Sequence, residues 1–248
     1  MIIIKNDNEV SLMRKAGKIV GETLFLLENE IKPGITTAEL DRIAEEFITK
    51  HGAKPSFKGL YGFPSSLCIS VNEQVIHGIP GEYMLKDGDI VSIDCGACIN
   101  GFHGDAARTF PVGDISSNAQ KLIDVTKESF FKGIEYAKVG NKLGDISHEI
   151  QSYVEAAGFS VVRDFVGHGI GTNVHEDPDV PNFGKAGIGP DLVKGMVLAI
   201  EPMVNMGKHK VKTLRNGWTV VTRDSSLSAH YENTVAILSD GPEILTLV

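Results

Sequence analysis

Asp94 and Asp105 lie on either side of an Asn100-Gly101 dipeptide in the stretch DGDIVSIDCGACINGFHGDAARTF. Asn-Gly is the strongest short signal for a two-residue hairpin turn, because both positions tolerate positive φ. With those two residues as the loop, Asp105 faces Gly96, and Asp94 falls two positions along on the same face. The carboxylates become diagonal neighbours, roughly 7–8 Å apart at the backbone and closer at their tips, and Gly96 leaves the space between them open. Two acids converging on an apolar strand face repel each other, and a divalent cation is the usual neutraliser. On the hairpin alone the plainer outcome is the more frequent one, with one or both aspartates turned to solvent.

Three more residues shift that balance. His168 sits in VGHGIG, a glycine-rich turn after the apolar run VVRDFV, where small residues let backbone crowd against a site. Glu201 follows MVLAI, an acid ending a strand that should be interior. Glu232 lies in AHYENTVAI, where alternation sets His230 and Glu232 on one face and Ala229, Tyr231 and Asn233 on the other. Each taken singly is more often a satisfied or solvated residue than a ligand. Four acids each tied to a β-run, together with a glycine-flanked histidine, are much harder to dismiss, and a shared metal site is the reading they favour.

Such ligands need elements to hold them. Asp7 or Asn8 can cap a helix carrying Val10, Met13, Ile19, Val20, Leu24 and Leu27 at helical spacing, broken by Pro33-Gly34. Thr36 or Thr37 starts a second helix that Gly52 ends. Ser116 or Ser117 opens a third to about Ala137, and Asp145 a fourth that stops at Gly158. Strand-like runs lie at 67–71, 89–98, 102–112, 161–166, 196–204, 218–222 and 230–238. Lys32, Gly34, Leu40 and Gly52 have counterparts in Lys138, Gly140, Ile146 and Gly158, all 106 positions on, and Asp94 precedes Glu201 by 107. Two halves of like construction would each bring acids to a shared centre. The fold class expected is α+β, with helices covering one face of a curved, largely antiparallel sheet, in a single catalytic domain spanning 1–248.

Composition narrows the function classes. At 248 residues and 42% hydrophobic, the chain can bury a core without disulfides. A formal charge of −8 with no long basic run argues against nucleic acid as the main partner. The first residues, MIIIKNDNEV, lack a signal-peptide core, and charges or glycines interrupt every apolar run before a membrane span is reached. Cys68, Cys95 and Cys98 suit a reducing compartment, so the cytoplasm is expected. Cys95 and Cys98 form a C-x-x-C in a β-branched run rather than at a helix start, and no second C-x-x-C accompanies them. A redox or metal role for that pair is the weaker reading.

In order along the chain, CISVNEQVIHGIP, SIDCGACINGFHGDAARTF, VGHGIGTNVHEDP, AIEP and SAHYENT resemble the motifs of the methionine aminopeptidases, which have the pita-bread fold. The resemblance covers essentially the whole chain and is closest to the minimal bacterial type I form. That form is expected to lack an N-terminal zinc-binding extension, and only 31 positions separate Glu201 from Glu232. It implies two divalent ions (cobalt, manganese, iron or zinc), with Asp94, Asp105, His168, Glu201 and Glu232 as their five ligands. It also implies catalytic roles for His77, His175 and Glu201, with Glu201 shuttling a proton. Phe63, Cys68, His77, Val174, His175 and Trp218 fall on the methionine slot and its rim. The pocket departs from the commonest bacterial pattern at Phe57, Leu60, Phe63 and Val174. The partners implied are peptides and nascent chains beginning with methionine, with transient ribosome contact, no nucleic-acid specificity, no membrane, and a monomeric state.

Three other readings compete. Proline-specific peptidases of the same fold share the ligand types but usually carry a further N-terminal domain. A catalytically dead relative that binds protein or RNA would have lost ligands. A mononuclear oxygenase with two histidines and one carboxylate would leave the other acids unexplained.

Overall fold

The computed structural model describes residues 1–248. Four helices form where capping chemistry and apolar spacing coincide. Helix α1, Asp7–Glu30, starts at Asn6, whose side chain accepts from the Asn8 and Glu9 amides while Glu9 accepts from the Asn6 amide at 2.7 Å. The cap lies one residue before the expected Asp7 or Asn8, because only Asn6 has a glutamate three positions on to complete the capping box. Helix α2, Thr37–Lys50, is capped by Thr36, and α3, Ser117–Ile134, by Ser116. Helix α4, Leu143–Ala156, begins before Asp145, which works from inside the first turn: its carboxylate accepts from the Lys142 and Gly187 amides at 2.8 and 2.7 Å. Helices α2 and α4 begin and end 106 positions apart, so the sequence echo is a structural one.

The hairpin expected at Asn100-Gly101 is present. Ile90–Ile99 pairs with Phe102–Pro111, with Gly96 opposite Asp105 and Asp94 opposite Ala107. The two turn residues have φ of 54° and 80°. Leu67–Val71 and the two-residue Lys54–Pro55 complete this antiparallel sheet. A second antiparallel sheet takes the order Gly241–Ile244, Asn233–Leu238, Val197–Ile200, Gly167–Gly169, Glu176–Val180.

The sheets are stitched at one seam. The Ala107 and Glu232 backbones exchange hydrogen bonds at 3.3 and 2.9 Å. The Thr234 hydroxyl accepts from the Asp105 amide and donates to its carbonyl, both at 2.9 Å. Thr109 does the same for the backbone of His230. The seam therefore joins the strand bearing Asp105 to the segment bearing Glu232.

Four expected strands are shorter than their apolar runs, and the third helix, expected to run to about Ala137, ends at Ile134. The run 161–166 yields only Ser160–Val161 before Gly167–Gly169. The run 196–204 splits into Val197–Ile200 and Met203–Asn205 around Glu201-Pro202, where proline has no amide to donate. The run 230–238 splits at Tyr231 and Glu232, between Ser228–His230 and Asn233–Leu238. The run 218–222 begins only at Val220, since the Asn216 side chain holds the Trp218 and Thr219 amides in a turn. Asn233 pairs with Ile200, so the breaks at Glu201 and Glu232 fall at one level and set the two acids side by side.

Each half has its own core. In the first, Leu24, Leu27, Leu40 and Ile48 of the helices pack on Leu67, Ile69 and Ile93 of the sheet. In the second, Phe130, Ile146 and Ile150 pack on Leu198, Ile200 and Val235. Truncating such a side chain to alanine typically costs about 2–5 kcal/mol, so the site between the halves rests on two rigid supports.

Candidate metal centre

Asp94, Asp105, His168, Glu201 and Glu232 line one cavity of about 240 Å³ together with His77, His175, Phe63, Cys68 and Trp218. Val174 packs with Phe57, Phe63 and Cys68 in the buried cluster that forms the cavity's apolar end. All eleven expected residues thus converge on one place. The hairpin delivers the two aspartates, and the paired strand breaks deliver the two glutamates. His168 arrives on a strand paired with Ala199, just before Glu201.

The space over Gly96 is not open, contrary to expectation. A Cβ built there would come within 2.8 Å of Phe57 Cε1 and of Ser56 Cβ. Gly96 therefore makes room for an aromatic wall rather than leaving a void between the carboxylates.

The electrostatics are severe. Burial pushes the Asp94 carboxyl up. Burial, then repulsion from Asp94 and Glu201, pushes Asp105 up. Glu201 is raised by burial and then Asp94, and Glu232 by burial, then Asp105 and Glu201. Arg108, the cation that acts on Glu232, spends its guanidinium on the Ala107 and Glu232 carbonyls and the Asn233 side chain rather than on a carboxylate. Asp94 Oδ1, Asp105 Oδ1 and Glu232 Oε1 are buried with no hydrogen-bond partner. Unpartnered acceptors facing each other in a desolvated space need a cation to offset the cost, so the residues present fit a divalent metal.

Imidazole nitrogens complete the donor set. His168 Nδ1 donates to the Gly169 carbonyl at 2.8 Å, which leaves Nε2 with its lone pair, 3.7 Å from Glu201 Oε1. Burial, then His175, holds His168 down to about 4, so the ring is neutral at pH 7. His230, which sequence analysis placed only as a face-mate of Glu232, sends its own Nε2 to 3.6 Å from Glu201 Oε2. Ligand-type atoms fall into two groups that share Glu232: Asp94, His230 and Glu232, and Asp105, His168 and Glu232. Within each group the atoms lie within 4.8 Å of one another.

The other two histidines stand at the cavity mouth. His77 adopts φ 57°, an uncommon conformation for a non-glycine residue, of a kind concentrated at functional sites. Its ring meets Phe165 edge-on at 6.0 Å, and burial depresses it to about 4. The His175 ring stacks on Tyr61 at 5.9 Å and meets His168 at 4.5 Å, and burial lowers its pKa as well. The turn that carries His175 is tied down by Glu176, which accepts from Lys5 Nζ at 2.7 Å in a pair whose side chains are each 3% exposed.

Beyond the histidines the space divides. One side is the slot walled by Phe57, Phe63, Cys68 and Val174, with Leu60 and Trp218 at its edge. Phe63 and Trp218 meet edge-to-face at 5.1 Å. The other side is a cleft bordered by His77, Phe165, His168, His175 and Glu201. Sequence reasoning missed Tyr61, Phe165 and the inward course of His230. The glycines around Tyr61 and the shared face of His230 and Glu232 were the available signals, and both are weak alone.

The model of metallopeptidase family M24 matches residues 11–239. A methionine aminopeptidase of Clostridium perfringens is 77% identical over 248 residues, covering all of both chains. Methionine aminopeptidase 1 of Bacillus subtilis is 58% identical, again over the whole of both chains. Among solved structures, the methionine aminopeptidase of Thermotoga maritima superposes with a TM-score of 0.99 at 46% identity, covering all of both chains.

Proposed function

The chain belongs to metallopeptidase family M24, among the methionine aminopeptidases, and on that premise we propose that it removes the first methionine from nascent proteins and peptides with a pair of divalent ions at Asp94, Asp105, His168, Glu201 and Glu232. The observation that carries this reading is the junction of an apolar slot with buried walls and a cluster of unpartnered buried acids. When bound, divalent ions of this kind (cobalt, manganese, iron or zinc) polarise a scissile carbonyl and make a water acidic near neutral pH.

The chain's own residues do the rest. The acids draw the substrate's ammonium to the base of the slot, and the slot closes behind the first side chain, so the peptide extends only through the open cleft. That geometry favours an exopeptidase. Glu201, beside both imidazoles, takes a proton from the attacking water and returns it to the leaving amine. His175 donates to the carbonyl oxygen as charge builds there, and His77 to the amide on the leaving side. Phe63, Cys68 and Trp218 grip a flexible thioether, for which aromatic walls suit sulfur well. Residues 1–248 act as one catalytic domain.

The working environment follows the same reading: a cytoplasmic monomer acting on nascent chains, with transient contact at the ribosome. No helix is long and apolar enough to cross a membrane. The test is release of free methionine from a Met-Ala-Ser peptide by the metal-loaded protein. Methionine release that disappears on chelation and returns with a divalent transition metal is the expected result. Cleavage confined to Xaa-Pro peptides would overturn the proposal.

A further inference from the structure

Five side chains make up the ligand set implied by the family resemblance, and His230 is not one of them. Its placement nevertheless matches theirs. The residue is 2% exposed and closes the strand Ser228–His230, two positions before Glu232. Its Nε2 is buried and has no hydrogen-bond partner. That nitrogen lies 3.6 Å from Glu201 Oε2 and 3.7 Å from Glu232 Oε2, too long for hydrogen bonds but close enough for a shared cation.

The symmetry of the centre sharpens the point. His168 Nε2 lies 3.7 Å from Glu201 Oε1, so the two imidazoles address opposite oxygens of one carboxylate. Each imidazole also belongs to its own three-residue group with Glu232. The His230 backbone is fixed on both sides by the Thr109 hydroxyl, which accepts from its amide at 2.8 Å and donates to its carbonyl at 2.9 Å. The ring is therefore delivered to the centre by the seam that also places Glu232. A buried ring nitrogen left without a partner costs free energy, and a metal ion removes that cost while neutralising the acids around it.

We infer that His230 is a sixth ligand, its Nε2 binding the ion held by Asp94 and Glu232, so that each of the two ions receives one imidazole nitrogen. The inference rests on the metallopeptidase reading and adds to it a nitrogen donor on the ion that would otherwise see oxygen alone. A nitrogen donor moves such a position toward cobalt, iron and zinc and away from magnesium, which is content with carboxylates and water.

The experiment uses the full chain loaded with Co²⁺. X-ray absorption fine structure counts the imidazole nitrogens per pair of ions, and titration calorimetry follows the binding events in the wild type, His230→Gln and His168→Gln. The expected wild-type count is two imidazoles per two Co²⁺, falling by one in each variant. His230→Gln should weaken one of the two binding events by about 10–100-fold and leave the other unchanged. One imidazole per pair in the wild type, or an unchanged count in His230→Gln, overturns the inference. An unchanged count with weaker binding does so too, by making His230 a positioning residue. If His230→Gln does not fold, the wild-type count decides alone. A wild type that binds no Co²⁺ at all overturns the metallopeptidase reading itself, which separates the two failures.

Discussion

Gly96 stands directly across the hairpin from Asp105, and the volume that any other residue's Cβ would occupy there is taken by Phe57. One position thus links the acid centre to the wall of the slot. Gly96→Ala would place a methyl 2.8 Å from both the Phe57 ring and Ser56 Cβ, and the Ser56-Phe57 segment must give way. Overpacking of this kind costs about 1–3 kcal/mol. The expected outcome is a lower melting temperature and a higher KM for methionine peptides, with metal content unchanged. Crystals showing Phe57 unmoved in an enzyme of normal KM would refute this coupling.

Removing metal should make stability depend on pH in a specific way. The four acids have folded pKa values raised above their unfolded ones, Asp94 to about 7. Their stabilising contribution is present at low pH and is lost as pH rises through those raised values. His77, His168 and His230 are depressed to about 4, 4 and 3. Their contribution is present above the unfolded histidine value of about 6.5 and is lost as pH falls below it. Between about pH 4 and 6.5 the two trends oppose each other, and above about 6.5 only the loss from the acids remains. The metal-free protein should therefore weaken from pH 6.5 to pH 8, whereas divalent metal should abolish that alkaline loss. Thermal melts at pH 5, 6.5 and 8, with and without chelator, decide the matter.

His175 and the proposed metal ligands should separate cleanly on mutation. His175→Ala removes a donor to the developing oxyanion, which is expected to lower kcat by about 10²–10³-fold. Metal content, measured by elemental analysis, should stay within error of the wild type. A collapse in bound metal would instead make His175 a ligand.

The Lys5–Glu176 pair gives a prediction about positioning. Burial raises the Glu176 carboxyl, but the Lys5 bond and the Asn173 amide outweigh it, and the group ends below its usual range. Lys5→Met leaves that carboxylate buried and unpaired, a change worth about 3–5 kcal/mol where one partner of a buried pair is lost. The His175 turn should loosen, lowering kcat more than it raises KM. Adding Glu176→Gln to Lys5→Met should recover much of the stability. A double variant no more stable than Lys5→Met would argue against the pairing.

The hairpin register, the four helices and the repeat were legible because each rests on local chemistry: a two-residue turn, a capping residue, a fixed spacing of apolar side chains. Glu201 and Glu232 were legible as acids beside apolar runs, but their strand breaks were not. The break at Glu201 depends on Pro202, whereas that at Glu232 depends on pairing with a segment more than thirty positions away. His230 shows the limit most clearly. Alternation put it on the Glu232 face, yet only the seam through Thr109 and Ala107 decides that this face is the interior one. Tyr61 likewise reaches His175 through a backbone conformation, φ 51°, that no apolar period encodes.

The residue after methionine should be selected by size. His77 is held at positive φ and backed by Phe165 at 6.0 Å, so it has little freedom to withdraw from the mouth of the slot. The substrate's second side chain must pass this rim while its first stays seated against Phe63 and Trp218. Gly, Ala or Ser at the second position fits, whereas Leu, Lys or Arg must displace either the rim or the scissile carbonyl. A displacement of about 1 Å can cost roughly 100-fold in rate, so the filter should act on kcat more than on KM. At the first position, Met should outcompete Leu by only about 1–3 kcal/mol, because shape in an apolar pocket discriminates modestly. A matrix of short peptides varied at both positions, assayed by release of the first amino acid, measures both effects. His77→Ala should then admit larger second residues while losing rate on Met-Ala peptides, and a variant that loses rate equally on all peptides would confine His77 to the chemistry alone.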